Sequence, residues 1–411
     1  MQPFVDKLAI LGGQPVRAKP FPGWPVWDGS EEQALMDVLH SGVWGSAGED
    51  NLVERFESEF AQAHQAKYGR CVFNGTMALE VSLRAINIDY GDEVIVPAYT
   101  FLATATACLM VGAIPVFVDI DPNTYNLDAE KIEAALTPRT RAIIPVHIGG
   151  NPADMDRINA IAREHHLWVI EDACQAHGAA WKGQRVGAIG DLGCFSFQSS
   201  KNINAGEGGA ILTNNEDLAE ACWSIRNCGR ARQGKWYQHE VLGGNFRMTG
   251  WQAAILRAQL TRFEELAQRR EENGLYLAQC LAPIAGFQPR ARDARVTQHG
   301  YHLFKSRYDS TAFNGLPRQA FLETLRAEGI PCSEGYQPLY RMKAIQDGTH
   351  RLLRFLKGEE RRQAEPDCPV TEKACYTEGV WFTQEMLLGT HADMDDIVRA
   401  VLKIKRSGIS Q

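Results

Sequence analysis

Three short segments of this 411-residue chain place reactive residue types where the local sequence would hold them apart from solvent. Lys201 lies in C-F-S-F-Q-S-S-K-N-I-N-A-G-E-G-G (194–209), with no acidic residue in the five positions before it and glycines after it. Such flanks belong to a tight loop rather than to an exposed helix face. Desolvation there would lower the pKa of the amine and free it for imine chemistry, although a lysine taken alone is better read as a solvated surface residue. Asp172 follows Glu171 at the end of the apolar run L-W-V-I-E-D (167–172). An acid at the carboxyl end of a buried parallel strand points into the ligand crevice, and an unpaired buried charge is expensive, so a cationic group should face it; a helix cap or an internal salt bridge is the alternative. Asn74-Gly75-Thr76 follows the apolar Cys71-Val72-Phe73 and opens M-A-L-E-V-S-L-R-A-I (77–86). A glycine turn feeding a helix start exposes backbone N–H groups to an anion such as phosphate, or else is simple capping.

Taken together, a phosphate cup, an acid at a strand end and an amine on a loop are the groups that pyridoxal 5′-phosphate requires. The acid would keep the pyridine nitrogen protonated, a pairing worth about 4 kcal/mol gross at 4 Å and an effective dielectric near 20. Other chemistries lack their anchors. Gly229, Gly234 and Lys235 match the spacing of a phosphate-binding loop, but Trp236 replaces the required hydroxyl residue and Arg226-Asn227-Cys228 is no strand. The basic, acid-free run Arg226, Arg230, Arg232, Lys235 reads either as a solvated loop or as a mouth for an anionic substrate. His165 and His166 point about 100° apart on a helix and have no partner at i+4, so no metal site is expected. There is no G-x-S-x-G and no H-E-x-x-H.

The elements that would position these residues alternate in type. E-V-I-V-P (93–97), P-V-F-V-D-I (115–120), R-A-I-I-P-V (141–146) and L-W-V-I-E-D (167–172) read as buried strands. Between them lie helical stretches at 100–111 and from Asn151-Pro152 onward, the latter with Asn151 as cap and Met155, Ile158 and Ile161 on one face. This predicts an α/β fold with a largely parallel sheet and ligands at the carboxyl ends of its strands. G-C-F-S-F-Q (193–198) and G-A-I-L-T-N (209–214) are joined by a loop too short for a helical crossover, so this pair is expected to be antiparallel. A long helical region (251–281) leads to shorter elements, of which 317–329 and 393–405 are the clearest amphipathic helices. We expect an N-terminal arm (1–30), a large domain (31–280) and a small C-terminal domain (281–411).

Composition bounds the rest. With 43 Lys+Arg against 50 Asp+Glu the net charge is −7, which disfavours a chain built to grip nucleic acid or an anionic membrane. The 45% apolar content fits a folded chain with ample core, and ten cysteines without a C-x-x-C pair suggest reduced thiols rather than zinc or disulfides. Phe101–Val118 carries no charge over 18 residues, yet Gly112 and Pro115 divide it into a buried helix and a strand rather than a membrane span. The N-terminal M-Q-P-F-V-D-K-L-A-I-L-G-G-Q-P-V-R lacks the core of a signal peptide, so a cytoplasmic location is expected.

The segments N-G-T-M-A-L, E-V-I-V-P-A-Y-T-F, E-D-A-C-Q-A-H-G, F-S-F-Q-S-S-K-N and G-E-G-G-A occur in this order, and the chain from about residue 8 to 405 resembles the DegT-type sugar aminotransferases, or StrS group. The resemblance implies a fold-type I pyridoxal-phosphate enzyme with a mixed, mostly parallel sheet and a smaller α/β domain. It also implies a homodimer in which each active site is completed by the partner. By matching position, Lys201 is the Schiff-base lysine, Asp172 the ring-nitrogen partner and Phe101 the aromatic that stacks on the ring. Gly75, Thr76 and Ser196 match phosphate ligands, and Gln175 stands beside the ring hydroxyl. Asn245, in G-G-N-F-R-M-T, matches an asparagine that reaches the neighbouring subunit's phosphate. The stretch S-E-G-Y-Q-P-L-Y-R (333–341) departs from the I-H-Y-P segment of many nucleotide-sugar members. With G-G-Q-P-V-R and F-P-G-W-P it is similar to the branch acting on cyclitols such as inosose, or forming aminohydroxybenzoate. The implied reaction moves an amino group from glutamine or glutamate to a keto-cyclitol or keto-sugar, with Lys201 as tether and general acid/base. The rival readings are a nucleotide-linked keto-sugar acceptor, an elimination or aromatisation, and a non-catalytic regulator that merely holds the cofactor.

Overall fold

Seven strands form the central sheet: β1 (Tyr68–Val72), β2 (Glu93–Pro97), β3 (Ile114–Val118), β4 (Thr140–Ile143), β5 (Trp168–Asp172), β6 (Leu192–Ser196) and β7 (Gly209–Thr213). The computed structural model describes residues 7–46, 51–235, 237–356 and 366–409, so Met1–Asp6 of the N-terminal stretch and Trp236 of the basic run lie outside the described residues. The strand order is β1-β7-β6-β5-β4-β2-β3. β2, β3, β4, β5 and β6 pair in parallel, while β7 is antiparallel to both of its neighbours, as the short loop between β6 and β7 requires. In β2, Val94 and Val96 pack with Ala78, Leu79 and Ala107, whereas Ile95 turns to Met155, Ile158 and Ile161 on the other face. Both faces are therefore covered, which explains the unbroken apolar runs.

The uncharged stretch divides as expected, into a helix Ala103–Met110 and the strand β3. No helix among the described residues is long and apolar enough to cross a membrane. All ten cysteines are free thiols.

Two expected elements differ. The helix expected from Asn151-Pro152 begins at Met155, capped by Asp154, whose carboxylate accepts from Arg157 N. Asn151 instead donates to Ala291 O at 3.1 Å, and Pro152 O accepts from Asn126 Nδ2 at 2.9 Å, so tertiary contacts hold this stretch out of the helix. The single helical region 251–281 is two helices, Gly250–Leu260 and Phe263–Leu281. Between them Arg262 leaves helical geometry, bonding Val26 O at 3.0 Å and the carboxylate of Glu31.

A second sheet comprises β8 (Phe287–Pro289), β9 (Leu303–Tyr308) and β10 (Gly379–Thr383), antiparallel in that order. Helices Arg318–Ala327 and His391–Ser407 close its core around Phe287, Phe304, Phe321, Phe382 and Ile397. Leu8 lies in the same core, and Arg17 Nη1 binds Asp393 at 2.7 Å and Asp396 at 2.9 Å. The N-terminal segment is thus anchored on the last helix of the chain.

Candidate active site

The site lies where β1, β5 and β6 end. Asn74 leaves β1 in an extended conformation and caps the helix Gly75–Ala85, its side chain accepting from Met77 N at 2.8 Å. The first-turn N–H groups of Gly75 and Thr76 have no intrahelical acceptor and are aimed, with the positive end of the helix dipole, at a cavity of about 550 Å³. Gly75 is required by close packing: a Cβ there would stand 2.7 Å from Ser196 Cβ and 3.0 Å from Cys174 Sγ. Ser196, the last residue of β6, lines the same wall.

Alternation along β5 separates the two acids. Glu171 is fully buried on the far side, where its carboxylate accepts from Gly187 N at 2.8 Å, Ile189 N and Gly190 N at 2.7 Å, and contacts His147 Nε2 at 2.9 Å. It is saturated and holds the turn 187–190. Asp172 faces the cavity, with Oδ2 accepting from Thr104 Oγ1 at 2.8 Å and Oδ1 from Cys174 N at 3.2 Å. Both donors are neutral, so a buried carboxylate with acceptor capacity to spare meets the cavity.

Lys201 enters from the loop between β6 and β7, which is closed by Lys201 N donating to Gln198 O at 2.8 Å and Ala205 N to Phe197 O at 3.1 Å. Burial pushes its amine below the ordinary lysine range, partly offset by Cys174 and Asp172. The nitrogen Nζ lies 3.5 Å from His302 Nε2. Gln175 is clamped, its Oε1 accepting from Gly149 N at 2.7 Å and its Nε2 donating to Tyr336 OH at 2.7 Å. Phe101 is exposed at the mouth, 6.4 Å from the Tyr336 ring centre to centre.

Seven of the eight residues singled out from sequence therefore line one cavity: Gly75, Thr76, Phe101, Asp172, Gln175, Ser196 and Lys201. Asn245 does not; it is exposed and forms a bridge to Asn227. The basic run is not at this mouth either. Arg226 is buried against the Glu57 carboxylate and Cys71 O, and Arg232 pairs with Glu220 at 3.0 Å beside Trp223. Three residues that contact the side chains of this site carry no pattern of their own. Thr104 steadies Asp172 from one turn beyond Phe101, and His302 precedes β9 without a motif. Tyr336 falls inside the departing stretch 333–341, which marks its segment though not its role.

A family profile described as the DegT/DnrJ/EryC1/StrS aminotransferase family matches residues 26–401. A Streptoalloteichus tenebrarius chain provisionally named L-glutamine:3-amino-2,3-dideoxy-scyllo-inosose aminotransferase is 40% identical, over 98% of both chains. A crystal structure of 3-amino-5-hydroxybenzoic acid synthase superposes with a TM-score of 0.83 at 35% identity, covering 94% of this chain and 100% of that one. NtdA from Bacillus subtilis, solved with bound cofactor PMP, superposes with a TM-score of 0.80 at 26% identity, covering 95% of this chain and 86% of that one.

Proposed function

Because the chain belongs to the DegT/DnrJ/EryC1/StrS aminotransferase family, we propose that it transfers the amino group of L-glutamine to the keto group of a cyclitol of the scyllo-inosose type, with pyridoxal 5′-phosphate as resident cofactor. The observation that carries this reading is the junction of Lys201, Asp172 and the Gly75 helix start in one cavity. The groups present fit the cofactor. The helix start favours a phosphate, and Asp172 is a buried carboxyl at the cavity wall whose hydrogen-bond donors, Thr104 and Cys174 N, are both neutral. When bound, pyridoxal 5′-phosphate supplies an electron sink for bond changes at the donor α-carbon.

The side chains divide the remaining work. Gly75, Thr76 and Ser196 bind the phosphate, Asp172 holds a proton on the ring nitrogen, and Phe101 covers the ring face. Gln175, fixed by Gly149 and Tyr336, meets the ring hydroxyl. Lys201 holds the cofactor and carries the proton leaving the donor α-carbon, for which a partly desolvated amine is suited. Asn245, exposed and not among the residues lining this cavity, is assigned to the phosphate site of a second copy in a homodimer with shared active sites. The likeness to 3-amino-5-hydroxybenzoic acid synthase favours one second reading, an elimination or aromatisation on a cyclic substrate.

The two readings separate on the fate of nitrogen. Incubated with amino-¹⁵N-labelled L-glutamine and a scyllo-inosose-type ketone, the protein is expected to place the label on the cyclitol. Consumption of a cyclic substrate without an amino donor would replace transamination by elimination.

A further inference from the structure

The hydrogen bonds around His302 fix which of its nitrogens carries hydrogen. Asn202 Nδ2 donates to Gly300 O at 2.7 Å, and since a carbonyl only accepts, the amide orientation is determined. Asn202 Oδ1 therefore faces His302 Nδ1 at 3.2 Å, so that nitrogen bears the hydrogen. In a neutral ring the other nitrogen, Nε2, is then a bare acceptor, and it stands 3.5 Å from Lys201 Nζ. The surroundings keep the ring neutral: His302 is buried, and Lys201, His177 and Arg270 all oppose a second proton on it.

We propose that His302 is a positioning residue for Lys201, its bare Nε2 accepting one N–H of the amine so that the amine lone pair turns into the cavity, with Asn202 locking the required tautomer. This deepens the aminotransferase reading, on which it rests only in taking Lys201 as the reacting amine. The charged and titratable groups facing Lys201 are Asp172 at the end of β5, Cys174 and His177 from the turn after it, and His302 before β9. Those facing His302 are Lys201, His177 from the turn after β5, and Arg270 from the helix Phe263–Leu281. The sign of the effect follows from the tautomer. A bare acceptor stabilises the ammonium form of Lys201 more than the neutral form, so removing it lowers the amine pKa; an imidazolium would do the opposite.

The test needs no cofactor. Competitive acetylation of the full-length, cofactor-free chain with acetic anhydride across pH, followed by mass spectrometry of the Lys201 peptide, gives the amine midpoint. Relative to the unmodified chain, His302→Asn and His302→Leu are expected to lower the midpoint by about one pH unit, the size of one hydrogen bond to a charged group. His302→Gln, whose amide reaches the position of Nε2 where the asparagine side chain stops at Nδ1, is expected to restore most of the shift. A midpoint unchanged or raised in His302→Asn, or glutamine behaving as asparagine does, would overturn the proposal. The two polar variants decide the matter if His302→Leu fails to fold. Failure of the unmodified chain to take up pyridoxal 5′-phosphate would count against the aminotransferase reading, while the labelling midpoints test the role of His302 separately.

Discussion

Neighbouring acids on β5 perform different tasks because they point to opposite sides of the sheet. Glu171 is consumed by three backbone N–H groups and His147, whereas Asp172 keeps acceptor capacity toward the cavity. Asp172→Asn is expected to leave the cofactor bound but to slow the reaction with L-glutamine by about 100-fold, a discounted share of the roughly 4 kcal/mol gross pairing with the ring. Stopped-flow absorbance of the loaded variant measures this rate. Lys201→Ala removes the proposed tether and proton carrier and is expected to lower turnover by about 10⁴-fold or more, measured as labelled amine transferred per enzyme. At this scale the sequence is legible where the signal is local: a loop lysine without nearby acids, an acid ending a β-rich run, a glycine before a helix. Thr104, His302 and Tyr336 are not, because each acquires its role from a contact with a residue 68, 101 and 161 positions away.

Among the elements, the helix Gly75–Ala85 matters most, since its first turn forms the proposed phosphate cup. Gly75→Ala would bring a methyl group to 2.7 Å from Ser196 Cβ and displace that turn. We expect the affinity for pyridoxal 5′-phosphate to fall by about tenfold or more, the loss of one good hydrogen bond to an anion, with the fold retained; equilibrium dialysis against circular dichroism separates the two. Strands β2, β3 and β5 lie within two residues of their sequence assignments because buried parallel strands read as continuous apolar runs. The helix expected at Asn151 begins later, at Met155, since Asn126 occupies the carbonyl of Pro152 and Asn151 is turned to donate its amide to Ala291 O rather than to cap a helix. Periodicity runs unbroken across Thr261-Arg262, yet the helix breaks there because Arg262 is anchored to Val26 and Glu31, more than 230 residues earlier. Local patterns cannot report such contacts.

On the scale of the molecule, the chain closes on itself through a buried ionic clasp. Arg17 reaches Asp393 and Asp396, and Lys19 also meets Asp393 at 2.8 Å. Burial opposes the charge on Asp393, but hydrogen bonds from Lys19, Thr390 and Arg17 prevail and hold its carboxyl below the ordinary value of 3.8. Its folded pKa being depressed, the stabilisation is fully present above the unfolded value and is lost as pH falls through the folded one. Asp393→Asn, which leaves Arg17 with a weakened partner, is expected to cost about 3 kcal/mol at pH 7, with the gap in Tm from the unmodified chain closing below pH 3.8. Transamination by the whole protein is tested most directly by the visible absorbance of the cofactor-loaded chain before and after L-glutamine, beside Lys201→Ala. Glutamine is expected to discharge the visible band while one equivalent of its 2-oxo acid forms, and the variant is expected to show neither. A band that persists with glutamine and with glutamate, with no 2-oxo acid formed, would contradict transamination.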